Sequence, residues 1–204
     1  MLFDDTYFSI QQNSEGLFKD KGSKFIAFAY PVKTEKEIKE IIAALKKEHH
    51  SARHHCYAYR LGADKQTYRS NDDGEPSNTA GKPILGQIRS KDLTNILIVV
   101  VRYFGGTLLG VSGLINAYKL AAADTLSNAV IVEHHILFEY KITFGFEQMN
   151  EVMKLMKDNN AKITEQQFDN NCSLTFHLQK NAAEKTEQQL SQIKGIKLNF
   201  ITTI

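Results

Sequence analysis

The sequence predicts an α+β protein of two domains, and three observations lead there. Segments with strand and helix patterning alternate along the chain, with no low-complexity tract between them. The last third reads in the order β-α-β-β-α-β, the ferredoxin-like plan of an antiparallel sheet covered on one face by two helices. The chain has 204 residues, 42% hydrophobic and 24% charged, which suits two small domains with real cores.

The elements follow in order. Residues 24–32, KFIAFAYPV, form an apolar and aromatic run that predicts a strand ended at Pro31. Thr34 then stands as a helix cap, with Glu37 three residues on in capping-box spacing. Ile38, Ile41, Ile42 and Leu45 recur at helical period, so residues 35–48 should be an amphipathic helix. His54 to Leu61 reads as a strand, and the polar run Ser70 to Thr79 as a turn. Ile96 to Tyr103 is a buried strand by its Ile/Val richness and shortness. A glycine-rich loop over 105–113 leads into a small-residue helix ending near Asn128.

The second half continues with a strand at Ile136 to Phe144. A helix from Gln148 to Asp158 is carried by Met149, Val152, Met153 and Met156. Lys162 to Phe168 is a strand, Asp169-Asn170-Asn171 a turn, and Cys172 to Leu178 a further strand. Ala183 to Ile193 is a helix, and Ile196 to Thr202 a last strand. These elements place a domain boundary within a few residues of Val130, giving domains 1–132 and 133–204.

Composition excludes several classes. The N-terminus carries acids where a secretory signal carries bases, and the longest apolar run, Ile96 to Val101, is far too short to span a bilayer. No membrane partner is expected. Cys56 and Cys172 have neither metal-type nor redox-type spacing, so a reducing, cytoplasmic setting is expected. The formal net charge is +2, with 17 Lys and Arg against 14 Asp and Glu up to residue 130 and 8 against 9 after it. Such a weak field permits a local basic site without demanding one.

Three clusters invite chemistry. Gly105, Gly106, Gly110 and Gly113 follow a buried strand and open a helix, where unpaired amides and the helix dipole favour an anion. Arg102 just before them offers a bidentate partner for phosphate or carboxylate, and Arg53 and Lys82 add charge if they meet it in space. Gly106 in particular should need a bare backbone. Val111 stands where a P-loop requires Lys, and Ser112 lacks the second glycine of a nucleophile elbow, so neither an NTPase nor a serine hydrolase is indicated. The plainer reading is a tight strand-to-helix turn.

Asp72, Asp73 and Glu75 bring three carboxylates together, but the spacing is not that of an EF-hand. A turn closed by aspartates, then a helix capped by Ser77 or Thr79, accounts for most of it. Strand alternation places His54 and Cys56 on one face and His55 on the other. A Cys-His couple can form a nucleophile and base, but a buried thiol beside a hydrogen-bonded imidazole is the commoner arrangement.

The motifs Ser23-Lys24-Phe25, Ala52-Arg53-His54-His55-Cys56-Tyr57-Ala58-Tyr59, Asp72-Asp73-Gly74-Glu75-Pro76-Ser77, Thr79-Ala80-Gly81-Lys82-Pro83-Ile84 and Val101-Arg102-Tyr103-Phe104-Gly105-Gly106 occur in this order. With Leu109-Gly110, Gly113-Leu114 and Ala117-Tyr118, they make the chain resemble the YigZ/IMPACT family over nearly its whole length. The family usually has Asn where this chain has His55, and often a basic residue at the position of Asn116.

The resemblance implies a first domain folded like the second domain of small-subunit ribosomal protein five. It implies a C-terminal domain resembling a ferredoxin-like domain of elongation factor G. Eukaryotic relatives inhibit activation of the kinase that phosphorylates initiation factor two, by competing for its activator. The implied role is a non-enzymatic regulator in translation and stress response, working through a regulatory protein, the ribosome or RNA. No cofactor, metal or catalytic residue is expected. The expected binding surface comprises His54, Asp72, Asp73, Glu75, Lys82, Arg102, Gly105, Gly106, Gly110 and Gly113. The alternative is an enzyme acting on a phosphorylated or peptide substrate in the same cleft.

Overall fold

The computed structural model describes residues 5–169 and 172–204. The chain divides into two compact units, Tyr7–His134 and His135–Ile204, the latter including residues 5–6. Each is α+β. Among the described residues no helix is long and apolar enough to cross a membrane.

The first unit contains β1 (Thr6–Ile10), β2 (Ser14–Asp20), β3 (Ser23–Pro31), α1 (Glu35–Glu48), β4 (His54–Leu61), β5 (Thr67–Asn71), α2 (Gly81–Ser90), β6 (Ile96–Tyr103), α3 (Gly110–Ser127) and β7 (Ile131–His135). Five strands form one sheet in the order β2-β3-β6-β4-β5, antiparallel throughout. β6 lies at its centre and is buried on both sides from Ile96 to Arg102, as its unbroken Ile/Val run requires. β1 and β7 form a separate two-stranded sheet.

Alternation along the central strands sorts side chains onto two faces. Phe25, Ala27 and Ala29 of β3, Cys56 and Ala58 of β4, and Ile96, Ile98 and Val100 of β6 pack with α2 and α3. Phe28, Tyr59, Leu61, Leu97, Val99 and Val101 face the other way, onto Ile38 and Leu45 of α1. α1 begins as predicted, with the Thr34 hydroxyl accepting from Glu37 N–H at 3.2 Å. The Glu37 carboxylate reaches back to Lys33 N–H at 2.8 Å.

α2 begins differently from expectation. Neither Ser77 nor Thr79 caps it: the Thr79 hydroxyl donates to the Pro76 carbonyl, and no side chain of the cap residue Ala80 serves. Asp72 takes the role from eight residues upstream. Its Oδ1 accepts from Ala80 N–H at 3.0 Å and Gly81 N–H at 2.9 Å, and its Oδ2 from Asn78 N–H at 2.9 Å. A carboxylate suits that place, where the first amides of a helix have no internal partner.

The second unit contains β8 (Leu137–Phe144), a 3-10 turn (Phe146–Gln148), α4 (Met149–Asp158), β9 (Lys162–Phe168), β10 (Cys172–Gln179), α5 (Lys180–Ser191) and β11 (Lys197–Thr203). The sheet order β11-β8-β10-β9, antiparallel at every pairing, is the ferredoxin-like plan. Tyr140, Ile142, Phe144, Leu174 and Phe176 meet Val152 and Met156 of α4 and Leu190 of α5. Met149 packs at the edge of this core, whereas Met153 is exposed. Of the predicted turn at 169–171, Asn170 and Asn171 lie outside the described residues.

Candidate functional site

Arg102 sits near the end of β6, in register with His54 of β4 and Phe25 of β3. Its alternation parity puts it on the face covered by α2 and α3. There the guanidinium carbon lies 5.5 Å from the Phe25 ring centre and 5.7 Å from that of Phe104. One Nη donates to Glu75 Oε1 at 2.6 Å, and the Tyr118 hydroxyl donates to the same oxygen at 2.8 Å. The Cys56 thiol lies between two acceptors, the Asp72 carbonyl at 3.0 Å and the Tyr118 hydroxyl at 3.3 Å. Arg102, Glu75, Tyr118 and Cys56 are all buried.

Within this network Arg102 is ion-paired with Glu75, and Tyr118 and Cys56 are hydrogen-bonded. Burial pushes the Cys56 thiol far up, and the surrounding carboxylates Glu75, Asp73 and Asp72 add to the shift. Burial likewise pushes the Tyr118 phenol far up, with Cys56 and Glu75 contributing. Both therefore stay protonated at neutral pH and act as donors. A thiol so held is no nucleophile, since the thiolate is the reactive form.

The three carboxylates of the Asp72–Glu75 loop diverge instead of converging on a cation. Asp72 caps α2, and Glu75 holds Arg102 and Tyr118. Asp73 Oδ2 accepts from His55 N–H at 2.7 Å, and its Oδ1 meets Lys46 Nζ at 2.9 Å. Burial draws the Asp73 carboxyl upward, but Lys46 and the His55 amide outweigh it and hold it below the ordinary carboxylate value. The Asp73 carbonyl accepts from His54 Nδ1 at 2.9 Å, which fixes Nδ1 as the protonated nitrogen.

Above this network lies a cavity of about 450 Å³, lined by Arg53, His54, Glu75, Pro76, Arg102, Phe104 and the start of α3 from Leu108 to Val111 with Leu114. Its rim is apolar and open: Leu108 is 82%, Val111 59% and Phe104 55% exposed. Of the residues the sequence singled out, His54, Glu75, Arg102 and Gly110 line this cavity, and Arg53 joins them. Asp72 and Asp73 support it from behind. Lys82 does not reach it; it is exposed and lines a separate groove with Arg89 and Ile115. Gly113 lies inside the first turn of α3 beside the Leu109 side chain.

Gly105 and Gly106 have distinct duties. A Cβ on Gly106 would meet nothing within 4 Å, so its need is the backbone angle, φ +88°. The close approach is one residue earlier: a Cβ on Gly105 would fall 1.9 Å from the carbonyl carbon of Gly22. Gly106 therefore needs glycine for its backbone angle, and Gly105 for its close approach to Gly22.

Tyr118 and the apolar rim were not among the residues expected to form the binding surface, although Phe104 and Tyr118 stand in the quoted motifs. One signal was present. Leu114, Ala117, Tyr118 and Ala121 recur at helical spacing on the buried face of α3, and a tyrosine in so small-sided a stripe needs a hydroxyl partner inside the core.

On the opposite face of the sheet, His55 is buried and its Nε2 has no hydrogen-bond partner. Burial pulls its pKa below the ordinary value, aided by Lys46 and His49 and opposed by Asp73, whose Oδ2 lies 3.8 Å from Nδ1. The native state therefore binds this proton more weakly than the unfolded chain does. The stabilisation is complete above the ordinary histidine pKa and is lost as pH falls through the lower folded value. Asp73 adds a second loss only in the acidic range, as pH falls from the ordinary carboxylate value through its own lower one. Urea denaturation at about pH 7.5 and about pH 5.5 should show wild type less stable at the lower pH, with a smaller drop for His55→Gln. Equal drops in the two proteins would assign the pH dependence elsewhere.

Residues 21–126, about half the chain, match the family model described as the Impact N-terminal domain. The chain is 28% identical over 188 residues to IMPACT family member YvyE of Bacillus subtilis, covering 92% of this chain and 87% of that one. It is 36% identical over 145 residues to IMPACT family member YigZ of Escherichia coli, covering 70% and 71%. A solved structure described as "Crystal structure of an hypothetical protein" superposes with a TM-score of 0.75 at 28% identity, over 98% of this chain and 99% of that one. The matched stretch contains every residue of the Arg102 network and of the cavity above it, and the chain belongs to the IMPACT family.

Proposed function

We propose that this chain is a non-enzymatic accessory factor of translation, acting by docking a protein partner on the cavity rim of its first unit. The observation that carries this reading is the contrast between rim and floor. Phe104, Leu108 and Val111 are large, apolar and exposed, as at the anchor positions of interfaces. The titratable groups beneath them are engaged with one another, which suits a supporting floor better than a reacting centre. The link to translation rests on the resemblance to eukaryotic relatives that compete for a kinase activator. An RNA partner is less favoured, because the rim is apolar and the chain carries a net charge of only +2.

The test is capture from RNase-treated lysate by wild type and by Leu108→Asp. Leu108 is exposed, so the variant should keep its circular dichroism spectrum. Translation components should survive RNase with wild type and fall by about ten-fold or more with the variant, since a carboxylate would be forced into an apolar contact. Identical captures from the two proteins would overturn the docking site. Loss of all capture on RNase treatment would favour RNA instead.

A further inference from the structure

α2 packs against α3, and a groove of about 550 Å³ lies between them. Lys82, Pro83, Leu85, Gly86 and Arg89 of α2 line it together with Ile115 of α3. It shares no lining residue with the cavity above Arg102. Lys82, Gly86 and Arg89 stand at i, i+4 and i+7, so they form one line along α2, with the two cations about 10 Å apart and the glycine between them. Nothing in the fold asks for glycine at 86. Its backbone is helical, without positive φ, and a Cβ there would meet nothing within 4 Å. Glycine is the poorest helix former after proline, so alanine would serve α2 better. What Gly86 leaves is bare backbone on an exposed helix face, which lets a second backbone come close.

The groove carries charge of one sign. No acid lines it, and α2 contains none. Lys82 and Arg89 are exposed and form no ion pair among the described residues. The Arg89 guanidinium carbon lies 4.4 Å from the centre of the Tyr68 ring, which holds the side chain in place and leaves it less freedom to lose on pairing. Lys119, one turn beyond Ile115 on α3, adds a third exposed cation. We propose that this groove docks an acidic amphipathic helix of a partner protein. This docking surface is additional to the cavity rim and stands independently of it.

In the bound arrangement two carboxylates one heptad apart on the partner helix meet Lys82 and Arg89. A small residue between them crosses Gly86, and an apolar side chain lies against Pro83 and Ile115. An amphipathic helix laid into a groove is an established mode of recognition. Single-stranded nucleic acid would need a longer basic track and free rings for its bases, whereas Tyr68 is already covered by Arg89 and the apolar walls are aliphatic. An extended segment would need an open sheet edge, and this groove is lined by helices.

Amide chemical-shift titration of the full chain tests this with four probes. The first is an acetylated and amidated two-heptad helix bearing Glu one heptad apart, with Ala and Leu between them on the same face. The others are its Gln counterpart, its Lys counterpart and oligouridylate. The Glu helix should shift Lys82, Gly86, Arg89 and Ile115 and bind about ten-fold or more tightly than the Gln helix. Gly86→Ala should raise the thermal midpoint of the first unit yet weaken the Glu helix by about ten-fold, because the added methyl holds the two backbones apart. Lys82→Glu combined with Arg89→Glu, both at exposed positions, should turn the preference toward the Lys helix.

Equal binding of the Glu and Gln helices would reduce the groove to an unspecific apolar surface and overturn the inference. Unchanged Glu-helix affinity in Gly86→Ala, a Glu preference that survives the double reversal, or no shifts with any helix would overturn it too. A proline-interrupted Glu peptide binding as tightly as the intact helix would show that no helix docks there. Oligouridylate shifting the same amides as strongly as the Glu helix would assign the groove to RNA and sink the proposal.

Discussion

Glu75→Ala should destabilise the first unit by about 3–5 kcal/mol, the usual cost of removing one member of a buried ion pair. The substitution leaves the Arg102 guanidinium buried with its Nη–H unanswered, beside an Nε–H that already has no partner. It also strips the Tyr118 hydroxyl of its acceptor. The companion experiment is Glu75→Leu with Arg102→Met, which removes both charges and leaves apolar groups against Phe25. Most of the loss should return in that double variant, because desolvating the pair offsets much of its Coulomb attraction. Guanidinium denaturation followed by circular dichroism measures both, analysed for two transitions because the chain has two units. A loss below about 1 kcal/mol for Glu75→Ala, the range of an exposed pair, would contradict the buried network.

The second large effect belongs to Gly105→Ala. The added Cβ would meet backbone, 1.9 Å from the Gly22 carbonyl carbon and 2.1 Å from the Ser23 nitrogen. No side chain can swing away to admit it. The Gly105 N–H also donates to Ser23 Oγ at 3.1 Å, so the two segments cannot part without losing a half-buried hydrogen bond. The cost should exceed about 3 kcal/mol, the upper part of the overpacking range. Gly106→Ala, with open space but φ +88°, should cost only about 1–2 kcal/mol for its left-handed backbone. Thermal denaturation of the two variants in parallel reads the difference. The reverse order would mean that the loop relaxes freely at Gly105 and that the strain lies at Gly106.

What could be read from the sequence was whatever local periodicity encodes. Ile38 and Leu45 revealed α1, the unbroken Ile/Val run revealed β6, and the order of the second unit emerged because each element is long and singly patterned. β1, β2 and β5 went unread because they are short or largely exposed strands; Tyr68 and Arg69 of β5, for example, carry no apolar alternation. The strand expected from Ile136 begins at Leu137, and β7 precedes it. Ser77 and Thr79 looked like caps because capping is usually local, whereas Asp72 arrives through a tertiary fold-back.

The fate of Arg102 was hidden for the same reason. Glu75 is 27 positions away, and their meeting depends on strand register and on the path of the Asp72–Glu75 loop. The two outcomes for Arg102, a free anion ligand or a partner of the loop carboxylates, differ only in tertiary structure. The apolar rim was masked by its own glycines, which drew the reading toward phosphate and away from Phe104, Leu108 and Val111.

The Asp72–Glu75 loop has a wider consequence. It fastens β4 through the amide of His55 and α1 through Lys46. It fastens α2 through the amides of Ala80 and Gly81, and β6 and α3 through Arg102 and Tyr118. Helical layers on opposite faces of the sheet thus share one clasp, and neither can be shed alone without opening it. The first unit should behave as one foldon, in which the amides of His55, Ala80 and Gly81 exchange with solvent at a common free energy. Hydrogen exchange of those three amides reads this directly, and rapid exchange at Gly81 beside a protected His55 would show instead that α2 opens by itself.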